Sequence, residues 1–392
     1  MTQPLAFTSL SASHLRGASA GLCAIGVVGL VVCGMAGGSD WAWAGVLGTM
    51  VVPAILGIGA WVFLAIHLAA GATWITPYRA LLGGMGGASV MAFLPALALM
   101  VGGGAVVYDW WGRSDYFHSE SKNAWMIPMR WMVSMGVIGV LWLMVDALLR
   151  RAEARVRPGG DSAAAMARWG VIALLVLVPS FTLFIWDALL ALNASFVSAM
   201  WGFYHLAGGM QCALAALILL VLYLARSGHA RLAAPHLLHD LGTWMVAGAC
   251  VISYIAFAQY LIISFANMPE ETQFFVRRAQ HGYGVVHVAE VLLRLSPFLI
   301  LMSQSLRTRP EAMVVAALAV LAGGTLDLAW VLVPHLSPDH QASPLQWIGI
   351  LMAIAGGCGL WLATVAFRLG RAPVAPNQDA RLHTALSGDH LH

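Results

Sequence analysis

The chain has 392 residues, of which 60% are hydrophobic and only 9% charged, too few charged side chains to cover a water-soluble domain of this size. Its mean hydropathy of +0.81 excludes that class and implies a polytopic membrane protein. The net charge of +3 does not imply nucleic acid, because the Lys and Arg are spread over many short loops and form no groove or stripe.

A spanning helix needs about 20 mostly apolar residues, which predicts ten spans at about 18–37, 46–70, 82–107, 127–149, 168–187, 196–225, 241–266, 284–306, 312–335 and 345–368. The segments are continuously apolar and do not alternate at period two, which excludes a closed barrel. Arg16 and the apolar run to Ala36 resemble a signal peptide, with Trp41-Ala42-Trp43-Ala44 in the place of a cleavage region. The run is long enough to span, and the later spans need it for consistent loop charges, so it reads as a retained first helix. With both termini on one side, that side collects fourteen of the twenty Lys and Arg and the other side four, which places both termini in the cytoplasm. Arg130 and Arg294 are left over, inside predicted spans. Residues 1–371 form one membrane domain, and 372–392 read as a polar, mobile cytoplasmic tail. Tyr108, Trp110, Trp111, Tyr116 and Phe117 suit an interface belt on the opposite side.

The five cysteines (Cys23, Cys33, Cys212, Cys250, Cys358) lie in apolar runs without C-x-x-C spacing. They read as packing thiols, with no disulfide, haem c attachment, iron–sulfur cluster or other metal site expected on this chain. Polar groups inside spans are the informative ones, since each costs free energy in hydrocarbon unless partnered. On the cytoplasmic half these are His67, Asp146, and His239 with Asp240. On the outer half they are Asp187, Tyr204, His205 and Asp327. The eighth span adds His287, Glu290 and Arg294, whose spacing of three and four puts them on one face. Two readings stay open for that face: a titratable relay, or an ion pair of Glu290 with Arg294 facing a neighbour helix. His239-Asp240 opens the seventh span, either as a cap on its first turn or as a point of proton entry shared with His67 or Asp146. Haem b needs two histidines facing each other from different helices; only His205 and His287 share a half, without the spacing of a di-haem bundle, so haem is not expected. A secondary transporter suits ten helices, but no Gly/Pro-interrupted pair recurs in two halves.

The seventh span carries the strongest pattern. Tyr254-Ile255-Ala256-Phe257-Ala258-Gln259-Tyr260 is followed by Ala266-Asn267-Met268-Pro269-Glu270-Glu271-Thr272, with His239-Asp240-Leu241-Gly242 upstream. This run resembles the seventh-helix signature of the F subunit of alternative complex III, a bacterial quinol:electron-acceptor oxidoreductase, within the NrfD-like membrane family. Looser matches are Ser198 to Tyr204 with Ala207-Gly208, Leu326-Asp327-Leu328-Ala329-Trp330, Val333-Pro334, Lys122 to Trp125, Pro297-Phe298 and Asp187. The chain departs from the pattern at Asn193-Ala194-Ser195-Phe196, where the family has E-P-H-W, and at Thr243, where it has Lys. Roles tied to those residues do not carry over.

The resemblance implies two four-helix bundles, helices 2–5 and 6–9, flanked by helices 1 and 10. It implies a bacterial inner-membrane subunit that binds no cofactor itself. Quinol, haem c and iron–sulfur clusters would belong to partners: a sister NrfD-like membrane protein, an iron–sulfur protein, multihaem and monohaem cytochromes c, and in some assemblies a terminal oxidase. A proton path is then expected from His67, Asp146, His239 and Asp240 on the inner half and Asp187, Glu290 and Asp327 on the outer. Tyr254, Gln259, Tyr260, Asn267, Glu270 and Glu271 are the family-motif residues. The alternative is a quinone site of the same superfamily, with His205 or His287 near Asp187 reaching the ring oxygen.

Overall fold

A segment crossing hydrocarbon must close its backbone hydrogen bonds within itself, and long apolar runs do this as helices. The computed structural model describes residues 12–117, 119–156, 162–193, 196–279, 282–338 and 340–387, the side chain of Glu270 excepted. In it ten helices are long and apolar enough to cross a membrane: α1 Ser13–Gly37, α2 Ser39–Ala69, α3 Thr76–Val107, α4 Pro128–Ala154, α5 Ala163–Leu192, α6 Trp201–Arg226, α7 Pro235–Ala266, α8 Tyr283–Leu301, α9 Pro310–Leu336 and α10 Pro344–Leu369. No strand occurs among the described residues. The chain is an all-α, multi-pass integral membrane protein.

Helices α2 to α5 close one four-helix ring and α6 to α9 a second, joined where α2 and α5 meet α6, while α1 and α10 pair against α2. The expected two bundles and flanking helices are therefore present. Small residues set the closest crossing: a Cβ on Gly26 of α1 would lie 2.4 Å from the Gly356 Cα of α10, so the two backbones touch as small-residue seams allow. One end of the molecule holds the start of α1 and the end of α10 and is called proximal below; the other is distal.

Elements differ from the sequence reading in three places. The third span is not a plain helix: Gly87–Ala92 winds as a 3₁₀ helix and Leu99–Gly103 as a π turn, because glycines and Pro95 weaken the regular ladder there. After α7 the chain does not run straight into α8. Asn267 takes a left-handed conformation (φ 47°) and its N–H bonds to Ile263 O at 3.0 Å. Pro269 then starts a short connecting helix, Pro269–Ala279.

The third difference is the C-terminal segment, expected to be mobile and instead packed up to Ser387, where the described residues end. Val374 and Ala375 are buried, and a last helix covers Arg381–Ser387. The cause is electrostatic. Arg79, at the proximal start of α3, is buried with its Nη1 2.7 Å from Asp379 Oδ2, and Asp379 also accepts from Ser162 Oγ. Arg381 Nη2 donates to Gly71 O at 2.5 Å. The terminal Asp389-His390-Leu391-His392 lies outside the described residues. Replacing Arg79 by Leu is expected to cost about 3–5 kcal/mol, because it strands a buried carboxylate. Thermal unfolding in detergent checks this; adding Asp379→Asn should recover most of the loss, and an unchanged midpoint for the single variant would mean the strap is not held by this pair.

Candidate functional site

The face that α8 turns into the second bundle carries His287, Glu290 and Arg294, and Glu290 and Arg294 are buried. Arg294 Nε lies 3.2 Å from Glu290 Oε1 on its own helix and Nη2 lies 3.3 Å from Asp327 Oδ2 on α9. Tyr204 of α6 donates its hydroxyl to Asp327 Oδ1 at 2.9 Å. His287 Nδ1 stands 3.2 Å from Glu290 Oε2, close enough for charge pairing but off the line of a hydrogen bond. Five side chains on three helices thus form one connected polar cluster. Gly208 of α6 makes room for it: a Cβ there would lie 2.5 Å from Arg294 Nη1, so a larger residue would displace the end of the guanidinium.

Two prolines shape the surroundings. A proline removes the hydrogen bond to the carbonyl four residues earlier, and here side chains replace it. Pro297 leaves Leu293 O, which accepts from Ser296 Oγ at 2.7 Å, and one residue on, Arg294 O accepts from Gln211 Nε2 at 2.8 Å. Pro334 leaves Trp330 O to Arg278 Nε at 3.4 Å, while Arg278 Nη2 reaches Val331 O at 3.1 Å. Arg278 comes from the connecting helix and sits 3.7 Å from the Phe274 ring centroid. Burial first, then neighbouring Arg277, pushes Arg278 down to about 9; the carbonyls and the Phe274 face hold it as a cation at neutral pH. Trp330, fixed in this way, stacks on His287 with centroids 4.5 Å apart and planes 19° apart.

Beside the cluster is a cavity of about 240 Å³ enclosed by α6, α7, α8, α9 and the connecting helix. Its walls are mostly apolar, among them Trp201, Ile252, Ala256, Phe275 and Trp330, with Tyr204, Gln259, His287, Glu290 and Arg294 converging on it from α6, α7 and α8. Phe257, Tyr260 and Val291 form a rim and are exposed on the outer sides of α7 and α8, so the cavity opens sideways toward lipid. Glu290 is seven residues into α8, about 10 Å along the helix at 1.5 Å per residue. Several buried polar atoms at the cavity have no hydrogen-bond partner: Gln259 Nε2, Glu290 Oε2, Arg294 Nη1 and His287 Nδ1. Buried polar groups in native proteins are almost always satisfied by protein or water, so these atoms leave hydrogen-bonding capacity directed at the cavity.

Other predicted residues fall elsewhere. Asp187 belongs to the first bundle, paired with Arg130 Nη1 at 2.5 Å and accepting from Ser134 Oγ at 2.7 Å. It does not join Glu290 and Asp327, and it is not beside His205 or His287. Asp146 receives both guanidinium nitrogens of Arg368, at 2.7 and 2.9 Å, and Arg150 Nη2 at 2.7 Å. His67 bonds through Nδ1 to Phe63 O at 2.7 Å and packs against Trp74 and Trp244. The inner-half residues therefore sit in separate environments: Asp146 faces α10 and His67 faces α7.

His239 Nδ1 is 3.9 Å from Asp240 Oδ1, and α7 begins at Pro235 with Ala234 as its N-cap. Asp240 lies in the second turn, so the capping explanation fails. Thr243, the departure from Lys, accepts from Arg307 Nη1 at 3.1 Å. His205 packs edge-on against Trp201 at 5.0 Å. Gln259 is buried, whereas Tyr254 and Tyr260 point outward; Glu271 lies in the connecting helix, and the side chain of Glu270 lies outside the described residues. Ala194 and Ser195 also lie outside, while neighbouring Phe196 stacks on Phe274 at 4.1 Å. Among the described residues no group of three or more His, Cys, Asp or Glu is placed to hold a metal.

Sequence reasoning paired Arg294 with Glu290 but missed its bridge to Asp327 on α9, and it missed the parts of Arg278 and Trp330. The available signal for Arg294 was its depth, since an intramembrane cation requires carboxylates nearby. No family model matches the chain, and no curated protein matches it.

Proposed function

We propose that the chain is a membrane subunit of a quinol-oxidising electron-transfer assembly of the alternative complex III type, and that the second-bundle cavity receives a quinol or quinone ring from the bilayer. The observation that carries this reading is the lateral cavity itself, mostly apolar, on which Gln259, His287, Glu290, Arg294 and Tyr204 converge. A cavity of roughly 150 Å³ takes a benzene ring, so about 240 Å³ suits a substituted six-membered ring whose chain leaves between Phe257 and Val291. Glu290 accepts from one ring hydroxyl, and Gln259 Nε2 or Arg294 Nη1 donates to an oxygen.

Oxidation of a quinol to a quinone releases two protons and two electrons. Glu290 and His287 are placed to take a proton; the electrons leave to haem c or iron–sulfur groups on partner proteins. The Arg-rich proximal face is then cytoplasmic, in a bacterial inner membrane.

A second reading, proton conduction without a bound ring, is favoured by the continuous Tyr204–Asp327–Arg294–Glu290–His287 cluster. The assembly is tested by purifying the tagged full chain from its native membrane in mild detergent. Stoichiometric c-type haem and iron–sulfur polypeptides are expected with it, and a chain that purifies alone as a stable, fully solubilised species contradicts the assembly.

A further inference from the structure

A histidine in the last turn of a spanning helix usually keeps its polar edge in water. His67, in the last turn of α2, does not: it is 4% exposed. Its Nδ1 donates to Phe63 O, and its Nε2 is buried without a hydrogen-bond partner. Three aromatic rings close around the imidazole, with centroids at 4.4 Å for Phe63, 4.5 Å for Trp244 and 5.0 Å for Trp74. Phe63 and Trp244 stand on the helices α2 and α7. Trp74 is carried instead by the turn between α2 and α3, in which Gly71 takes the left-handed conformation (φ 73°) that glycine adopts without strain.

The C-terminal strap holds that turn. Arg381 Nη2 donates to Gly71 O at 2.5 Å. The helix that Arg381 opens packs on Thr76–Tyr78, just beyond Trp74. Further along it, Ala385 O accepts from His236 Nε2 at 3.1 Å, at the start of α7. The two fastenings of the strap differ in kind. Arg79 and Asp379 form a buried pair, whereas the bond from Arg381 to Gly71 O is exposed, where water competes for both partners. The Arg381 end is therefore able to lift while the Arg79 anchor stays in place.

We infer that the C-terminal strap is a latch: through Arg381 it keeps the turn of residues 71–74 shut over His67 and shields this histidine from water at the proximal end. Lifting the latch frees a turn with a glycine pivot, and Trp74 then uncovers Nε2. The position of the tail thus sets whether a side chain able to carry a proton at that end of the membrane is reached from the aqueous phase.

The test is acylation of histidines by diethyl pyrocarbonate in the full chain in mild detergent, followed by peptide mass mapping. His67 is expected to react much more slowly than the exposed His340. Arg381→Ala should raise the His67 rate about tenfold, the scale of one hydrogen bond from a charged donor, and Arg381→Lys, which keeps a donor, should stay near the parent. His205, buried in the second bundle, should stay unreactive throughout, which separates lifting of the strap from unfolding. Hydrogen–deuterium exchange gives a second reading in the parent itself: residues 70–76 and 381–387 should open at one common rate. A parent His67 as reactive as His340, an unchanged rate in Arg381→Ala, or separate opening rates for the two segments would overturn the inference.

Discussion

Replacing Arg294 by Leu is expected to abolish a stable second bundle. The guanidinium stands between Glu290 on α8 and Asp327 on α9, and both carboxylates are buried. Removing it leaves two buried carboxylates at membrane depth with only His287, beside Glu290, to offset either of them, and breaking a buried pair costs about 3–5 kcal/mol. That is a large share of the roughly 5–15 kcal/mol by which native proteins are stable. The measurement is the yield of monodisperse protein and its thermal midpoint in detergent. The double variant Arg294→Leu with Asp327→Asn should recover a large part of the loss, because only one carboxylate is then left to neutralise. A single variant as stable as the parent would show that the cluster is solvated, contrary to the burial of its members.

Glu290→Gln separates structure from chemistry. The amide keeps the shape of the side chain, and Arg294 keeps Asp327 as its counterion, so folding is expected to survive. A hydrogen bond to a charged group contributes about 1.5–3 kcal/mol, so a ring hydroxyl that loses this acceptor should bind about 10- to 100-fold more weakly. Turnover with quinol should fall further, since the residue placed to take the proton is gone. The checks are a titration of quinol affinity and the steady-state rate of the assembled complex, with Glu290→Asp as a partial rescue. An unchanged affinity with a lost rate would favour the proton-conduction reading; no change in either would remove Glu290 from the site.

Ten spans were legible because hydropathy over 20 residues depends only on composition, and the edges that moved most, the starts of α2, α3 and α7, lie beside Gly38, Pro77 and Pro235, which an apolar window does not register. The eighth-span face was legible for the same reason: three- and four-residue spacing fixes a face whatever the neighbours are. What that face touches was not. Asp327 is far from Arg294 along the chain and reaches it only because α9 packs on α8, and no spacing rule encodes that contact. Asp187 was grouped with Glu290 on depth alone, which cannot tell two bundles apart; Arg130, set aside as surplus, is its counterion. The C-terminal segment was judged by its polarity, and the buried Arg79 that binds it lies at the other end of the sequence. Tyr254, Gln259 and Tyr260 form one motif in sequence, yet helix geometry sends Gln259 into the cavity and the two tyrosines outward.

The central claim, a lipid-borne ring held in the second bundle, is tested most directly by photolabelling the purified complex with an azido-quinone and mapping the adduct. The account predicts a label on the cavity rim or walls, at Phe257, Tyr260, Val291 or their immediate neighbours, displaced by excess quinol and lost in Glu290→Gln. Saturable labelling confined to other proteins of the complex, or to the first bundle around Asp187, would contradict it.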